Sequence, residues 1–141
     1  MKIVLDTNVL VSALFFGGVP GRILSAWHAG RIRLALSAPI LAEYREVGDD
    51  LSARYRDLDF EAFAALLVMN SEVVDSPEHL PEPVCSDPAD DKFLACAAAS
   101  GAPIIVSGDR HLLAVSGWHG IEVLRPRPFV DRYLPESDLP G

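Results

Sequence analysis

An α/β fold, with a central parallel sheet of about five strands between layers of helices, is predicted by three features of the 141-residue chain. Short apolar runs with β-branched members alternate with stretches of helical periodicity. The strand-like runs are apolar at consecutive positions rather than at every second one, as in strands covered on both faces. Capping and breaking residues separate the segments, so each run has a defined start and stop.

The first run is Lys2-Ile3-Val4-Leu5, ended by Asp6. Thr7 or Asn8 can cap a helix through Phe15, which Gly17-Gly18 stop. A second helix is predicted from Pro20 to His28, with Ile23, Leu24 and Trp27 on one face. Arg33 to Leu36 forms the second strand. Ser37 and Pro39 then open a long helix with Ile40, Tyr44, Val47 and Leu51 at helical spacing. Phe60 to Met69 is a further amphipathic helix, Glu72 to Val74 a short strand, and Ser76 to Pro83 a loop rich in proline and acid. A helix from Pro88 to about Gly101, a strand from Pro103 to Val106, a short helix from Asp109 to Val115 and a strand from Ile121 to Leu124 follow. A helical turn from Phe129 to Leu134 closes the chain. One domain over 1–134, with a frayed tail over 135–141, is expected.

Composition narrows the function classes. Half the residues are hydrophobic and 23% are charged, an ordinary globular balance that excludes a disordered chain. Twenty acids against twelve bases give a net charge of −8. That charge argues against gripping nucleic acid by bulk positive potential, though a nuclease can meet phosphate through metal ions instead. It also suits a basic partner. Cys85 and Cys96 stand eleven apart without a CxxC pair, which disfavours a zinc site and a disulfide framework. Asp6 and Asn8 interrupt the apolar start of the chain, which is wrong for a secretory signal, and no run is long enough to span a membrane. A cytoplasmic location is expected.

The chemistry is carried by carboxylates. Open parallel sheets gather function at the carboxyl ends of their strands. Asp6 follows Ile3-Val4-Leu5 there, and Asp109 follows Ile104-Ile105-Val106-Ser107-Gly108. Each also has a structural explanation as a helix N-cap. Asp87-Pro88-Ala89-Asp90-Asp91 adds three more acids at the start of a helix, where Asp87 and Asp90 suit capping roles and Asp91 does not. A helical wheel places Asp87, Asp90 and Asp91 on the side of Phe93, Leu94, Ala97 and Ala98, with Lys92 and Ser100 pointing away. Carboxylates beside an apolar face are costly unless compensated, and a divalent cation would compensate them. Glu43 flanks the stripe of Ile40, Tyr44 and Val47 and is a further candidate ligand. An all-carboxylate set suits magnesium or manganese, and phosphodiester hydrolysis is the matching chemistry.

Four segments, in order, resemble the acidic motifs of PIN domains. They are Asp6-Thr7-Asn8-Val9-Leu10, Glu43 within Leu41-Ala42-Glu43-Tyr44, Asp91-Lys92-Phe93-Leu94-Ala95-Cys96-Ala97, and Ser107-Gly108-Asp109. The resemblance extends to about Leu134. It implies a ribonuclease that binds one or two magnesium or manganese ions and cleaves single-stranded RNA. Asp6, Glu43, Asp91 and Asp109 inherit the ligand and catalytic roles, and Asn8 and Ser107 match positions that orient the site. Asp87 and Asp90 join the candidate ligands, and either Asp90 or Asp91 can be the main one. Small PIN proteins are often toxins of VapBC-type toxin–antitoxin pairs, which implies an antitoxin partner and a homodimer.

Two other classes compete. A haloacid-dehalogenase-like phosphatase also carries an aspartate after its first strand, but a second aspartate normally follows two residues on, where this chain has Asn8. A PIN fold kept only for protein contacts is the other, and the full acidic set argues against it.

Overall fold

Five parallel strands form one sheet in the computed structural model, which describes residues 1–55 and 57–135. The strands are β1 (Lys2–Leu5), β2 (Arg33–Leu36), β3 (Glu72–Val73), β4 (Ile104–Val106) and β5 (Glu122–Leu124), in the order β3-β2-β1-β4-β5. Among the described residues, seven helices flank the sheet: α1 (Thr7–Phe16), α2 (Gly18–His28), α3 (Ala38–Arg54), α4 (Phe60–Met69), α5 (Asp91–Ser100), α6 (Arg110–Leu113) and α7 (Pro126–Tyr133). This is a three-layer α/β fold.

The consecutive apolar residues of the central strands are buried throughout: Ile3 to Leu5 in β1 and Ile104 to Val106 in β4. Phe93 and Leu94 of α5 are also fully buried, and side chains of this size contribute about 1.5–3 kcal/mol each. β1 pairs with β4 in the register Ile3↔Ile104, Val4↔Ile105 and Leu5↔Val106. The Asp6 amide extends that ladder to the Val106 carbonyl at 3.0 Å. Strand order reverses about β1, with β2 on one side and β4 on the other, so a crevice opens beyond the carboxyl ends of β1 and β4.

Helix boundaries follow local chemistry. Ser37 caps α3 by accepting the Ile40 amide, and Asp59 caps α4 through the amides of Glu61 and Ala62. Gly17, at φ 74°, ends α1 and lets α2 start two residues before Pro20. In α3, Gly48 lies under the Phe60 ring, where an added Cβ would come within 2.4 Å of it. The absent side chain is what allows α3 and α4 to pack.

Two further boundaries differ from the sequence expectation. The Pro88 helix begins as a 3₁₀ turn, Pro88–Asp90, before α5 proper. The closing helix starts at Pro126, because Pro126 and Pro128 fit the first turn of a helix, where no amide donor is needed. The residues beyond Pro135, expected to fray, lie outside those described. Among the described residues, no single helix is long and apolar enough to cross a membrane.

Candidate active site

Asp6 stands at the N-cap position of α1 without capping it. Its carboxylate instead accepts the Ser107 hydroxyl at 2.6 Å, and Ser107 is fully buried at the end of β4. The Ser107 oxygen in turn accepts the Asp109 amide at 2.9 Å. One hydroxyl therefore ties together the ends of the two central strands and orients both acids. Asp109 caps α6 by accepting the His111 amide at 2.7 Å. The capping reading of Asp109 holds, and it leaves the second carboxylate oxygen available.

Glu43 reaches the same place from α3. One of its oxygens accepts the Thr7 hydroxyl and the other the Lys92 ammonium, at 2.8 Å. Tyr44, beside it, donates to the Leu5 carbonyl at 2.6 Å and so pins α3 against the end of β1. Burial pushes the Tyr44 phenol well above its ordinary range, so it remains a hydrogen-bond donor.

The three acids before α5 part company. Asp87 is exposed and caps the 3₁₀ turn through the Ala89 amide. Asp90 is half-buried, and its Oδ2 is enclosed without a hydrogen-bond partner. Burial, then the fields of Asp109, Asp87, Asp6 and Glu43, push its carboxyl up to about 6. Asp91 is 1% exposed. Its two oxygens accept the amides of Val84 at 3.0 Å and Cys85 at 2.8 Å, holding down the proline-rich loop. Asp91 thus braces that loop, and Asp90 feels the charges of the other acids.

The wheel inverts at three positions. Lys92 and Ser100, expected outside, are buried, and Ala98, expected inside, is exposed. Helix α5 contacts β1, β2, β4 and α3, so its covered arc is wider than one apolar stripe. Lys92 enters that arc because Glu43 waits there. Nothing in the local spacing announces that pair, or the roles of Thr7 and Tyr44, because their partners are 36 to 49 positions away. Asn8 is exposed and makes no side-chain hydrogen bond among the described residues.

The electrostatics are those of a site short of positive charge. Burial raises the Asp6 carboxyl, the Ser107 hydrogen bond offsets part of this, and the charges of Asp109 and Glu43 raise it further. Among the described residues, no group of three or more His, Cys, Asp or Glu side chains is placed to hold a metal ion. The donor chemistry nevertheless fits a hard divalent cation. Asp6 and Asp109 keep acceptor capacity, and Asp90 offers an enclosed oxygen with nothing bound to it. The two cysteines are free, buried and held near 12, largely by burial, so they are protonated bystanders.

A separate concavity lies away from these acids. It is a groove of about 1010 Å³ between helices, lined by Leu24, Trp27, Phe63 and Leu66, among others, and by no acid. Its lining is mostly apolar, with His28 and Arg22 among the polar side chains.

Residues 2–111 match the sequence model of the PIN domain. An uncharacterized protein of Methanocaldococcus jannaschii is 29% identical over 145 aligned positions, covering 94% of this chain and 92% of its own.

Proposed function

The chain belongs to the PIN-domain family, and from that membership we propose a magnesium- or manganese-dependent endoribonuclease acting on single-stranded RNA. The observation that carries the reading is the enclosed, unpartnered oxygen of Asp90, surrounded by the charges of Asp6, Asp109 and Glu43. A group left in that state costs free energy in the resting protein. A cation would relieve both the missing partner and the mutual repulsion.

In this reading Asp6, Asp90 and Asp109 hold the ion. When bound, the ion supplies phosphate neutralisation and a water of lowered pKa. Ser107 fixes the orientation of Asp6 and the backbone position of Asp109. Thr7 and Lys92 hold Glu43 at the margin of the site, and Tyr44 keeps α3 in place. Asp91 braces the 84–85 loop. Arg110 and His111, next to Asp109 in the chain, are the basic residues that would meet the RNA backbone.

We also read the protein as the toxin of a type II toxin–antitoxin pair, with an antitoxin and a second copy of the chain as partners. Family and chain length support this, and the net charge of −8 suits a basic partner segment.

The test is cleavage of a mixed single-stranded RNA with manganese, with Asp6→Asn alongside. Cleavage by the wild type alone, abolished by a chelator, is expected. Equal cleavage by both proteins would remove Asp6 from the site, and no cleavage together with no manganese uptake would sink the nuclease reading.

A further inference from the structure

Lys92 is 6% exposed, and its ammonium is buried together with its charge. A buried ammonium is costly unless a counter-charge and hydrogen bonds compensate it. Its partner is Glu43 at 2.8 Å, and the ammonium also lies over the Phe93 ring at 6.0 Å. The second Glu43 oxygen is taken by the Thr7 hydroxyl. Glu43 is therefore engaged at both oxygens and has a counter-charge beside it before any ion arrives, unlike Asp90, whose Oδ2 has no partner.

We propose that Lys92 is a tethered cation standing in for a second metal ion, so that the acidic site takes up one divalent ion rather than two. The inference rests on the metal-dependent reading above and deepens it. Charge balance supports it. Asp6, Glu43, Asp90 and Asp109 carry four negative charges when ionised. One divalent ion and the Lys92 ammonium answer three of them, which leaves the site mildly anionic. Two divalent ions together with the ammonium would overshoot, and would place three cationic centres in one crevice. A two-metal site also needs carboxylate charge not already answered, and the Lys92 ammonium answers that of Glu43. Lys92 is thus a positioning residue: it acts through Glu43 on how many ions the site can hold.

The experiment is a manganese titration of the full chain, following free ion by electron paramagnetic resonance, for wild type, Lys92→Arg, Lys92→Gln and Lys92→Met. The wild type and Lys92→Arg should bind one ion each. Lys92→Gln retains a hydrogen-bond donor for Glu43 but no charge, so it separates charge from scaffolding and should bind two. Lys92→Met should also bind two, and adding Glu43→Gln should return it to one. Circular dichroism and thermal melting check that each variant is folded, and Lys92→Gln keeps the test intact if Lys92→Met is not. One ion in the wild type and in folded Lys92→Gln alike overturns the proposal, as do two ions in the wild type. A wild type that takes up no manganese overturns the nuclease reading and this proposal with it.

Discussion

The 3₁₀ turn that carries Asp90 and the first turn of α5 that carries Asp91 are adjacent in the chain and opposite in physics. Asp91 is the more deeply buried, yet it is at rest, because each of its oxygens accepts a backbone amide of the 84–85 loop. Asp90 is less buried and unsatisfied, with an enclosed oxygen that has no donor and four acids contributing to its field. Burial alone therefore does not mark a reactive carboxylate. The balance of donors does: where amides converge the acid stabilises the fold, and where only other acids converge it is left available for a cation.

The largest expected effect that could break this contrast is on cleavage. Asp90→Asn should lower manganese-dependent RNA cleavage by about 1,000-fold, the loss of several kcal/mol of charge stabilisation. Asp91→Asn, in its folded fraction, should stay within about tenfold of wild type. The reverse ranking, measured in single-turnover assays, would return the ligand role to Asp91.

Stability should rank the other way. Asp91→Ala removes two charge-assisted hydrogen bonds and strands two amides, so urea unfolding should show a loss of about 3 kcal/mol. Asp91→Asn keeps one acceptor oxygen and should lose about half as much. An unchanged urea midpoint in both would show that the loop does not depend on this carboxylate.

Loop release should also be visible in chemistry. The Cys85 thiol is pushed up to about 12, first by burial and then by the adjoining Asp91. At pH 8 the wild type should resist iodoacetamide at Cys85, whereas Asp91→Ala should be alkylated as the loop opens and the anionic neighbour disappears. Equal labelling rates would separate Cys85 from the Asp91 clasp.

The smallest effect sharpens the contrast on the Asp90 side. Its folded carboxyl sits near 6, above the ordinary 3.8, so the folded metal-free protein holds this proton more tightly than the unfolded chain does. The ionised side chain is destabilising. That penalty is fully present above about pH 6 and fades as pH falls from 6 toward 4. Asp90→Asn should therefore stabilise the chelator-treated protein by on the order of 1 kcal/mol at pH 7.5, once solvent screening is allowed for, and by little at pH 4. Paired urea titrations at the two pH values check the sign.

Much of the fold is legible in the order of residues alone. Consecutive apolar residues such as Ile3-Val4-Leu5 can be covered only in the middle of a sheet. Gly17 and Ser37 announce helix ends because their caps are satisfied within five residues. Asp6 and Asp109 are legible as a pair because strand ends in parallel sheets share one edge. The helical wheel fails at Lys92, Ala98 and Ser100, since it assumes a single buried stripe and α5 is enclosed on several sides.

What the sequence by itself determined is the α/β order, the central strands and the gathering of acids, because these depend on periodicity and on near neighbours. What only the tertiary structure decided is the duty of each acid. Asp91 is satisfied by a loop that must first fold back over it. Glu43 is held by Thr7 and Lys92 from two other helices. Asp90 is defined by the donors that do not arrive. Hydrogen bonds reach about 3 Å, so a carboxylate's role is set by what the fold brings within that distance, and no spacing along the chain encodes it.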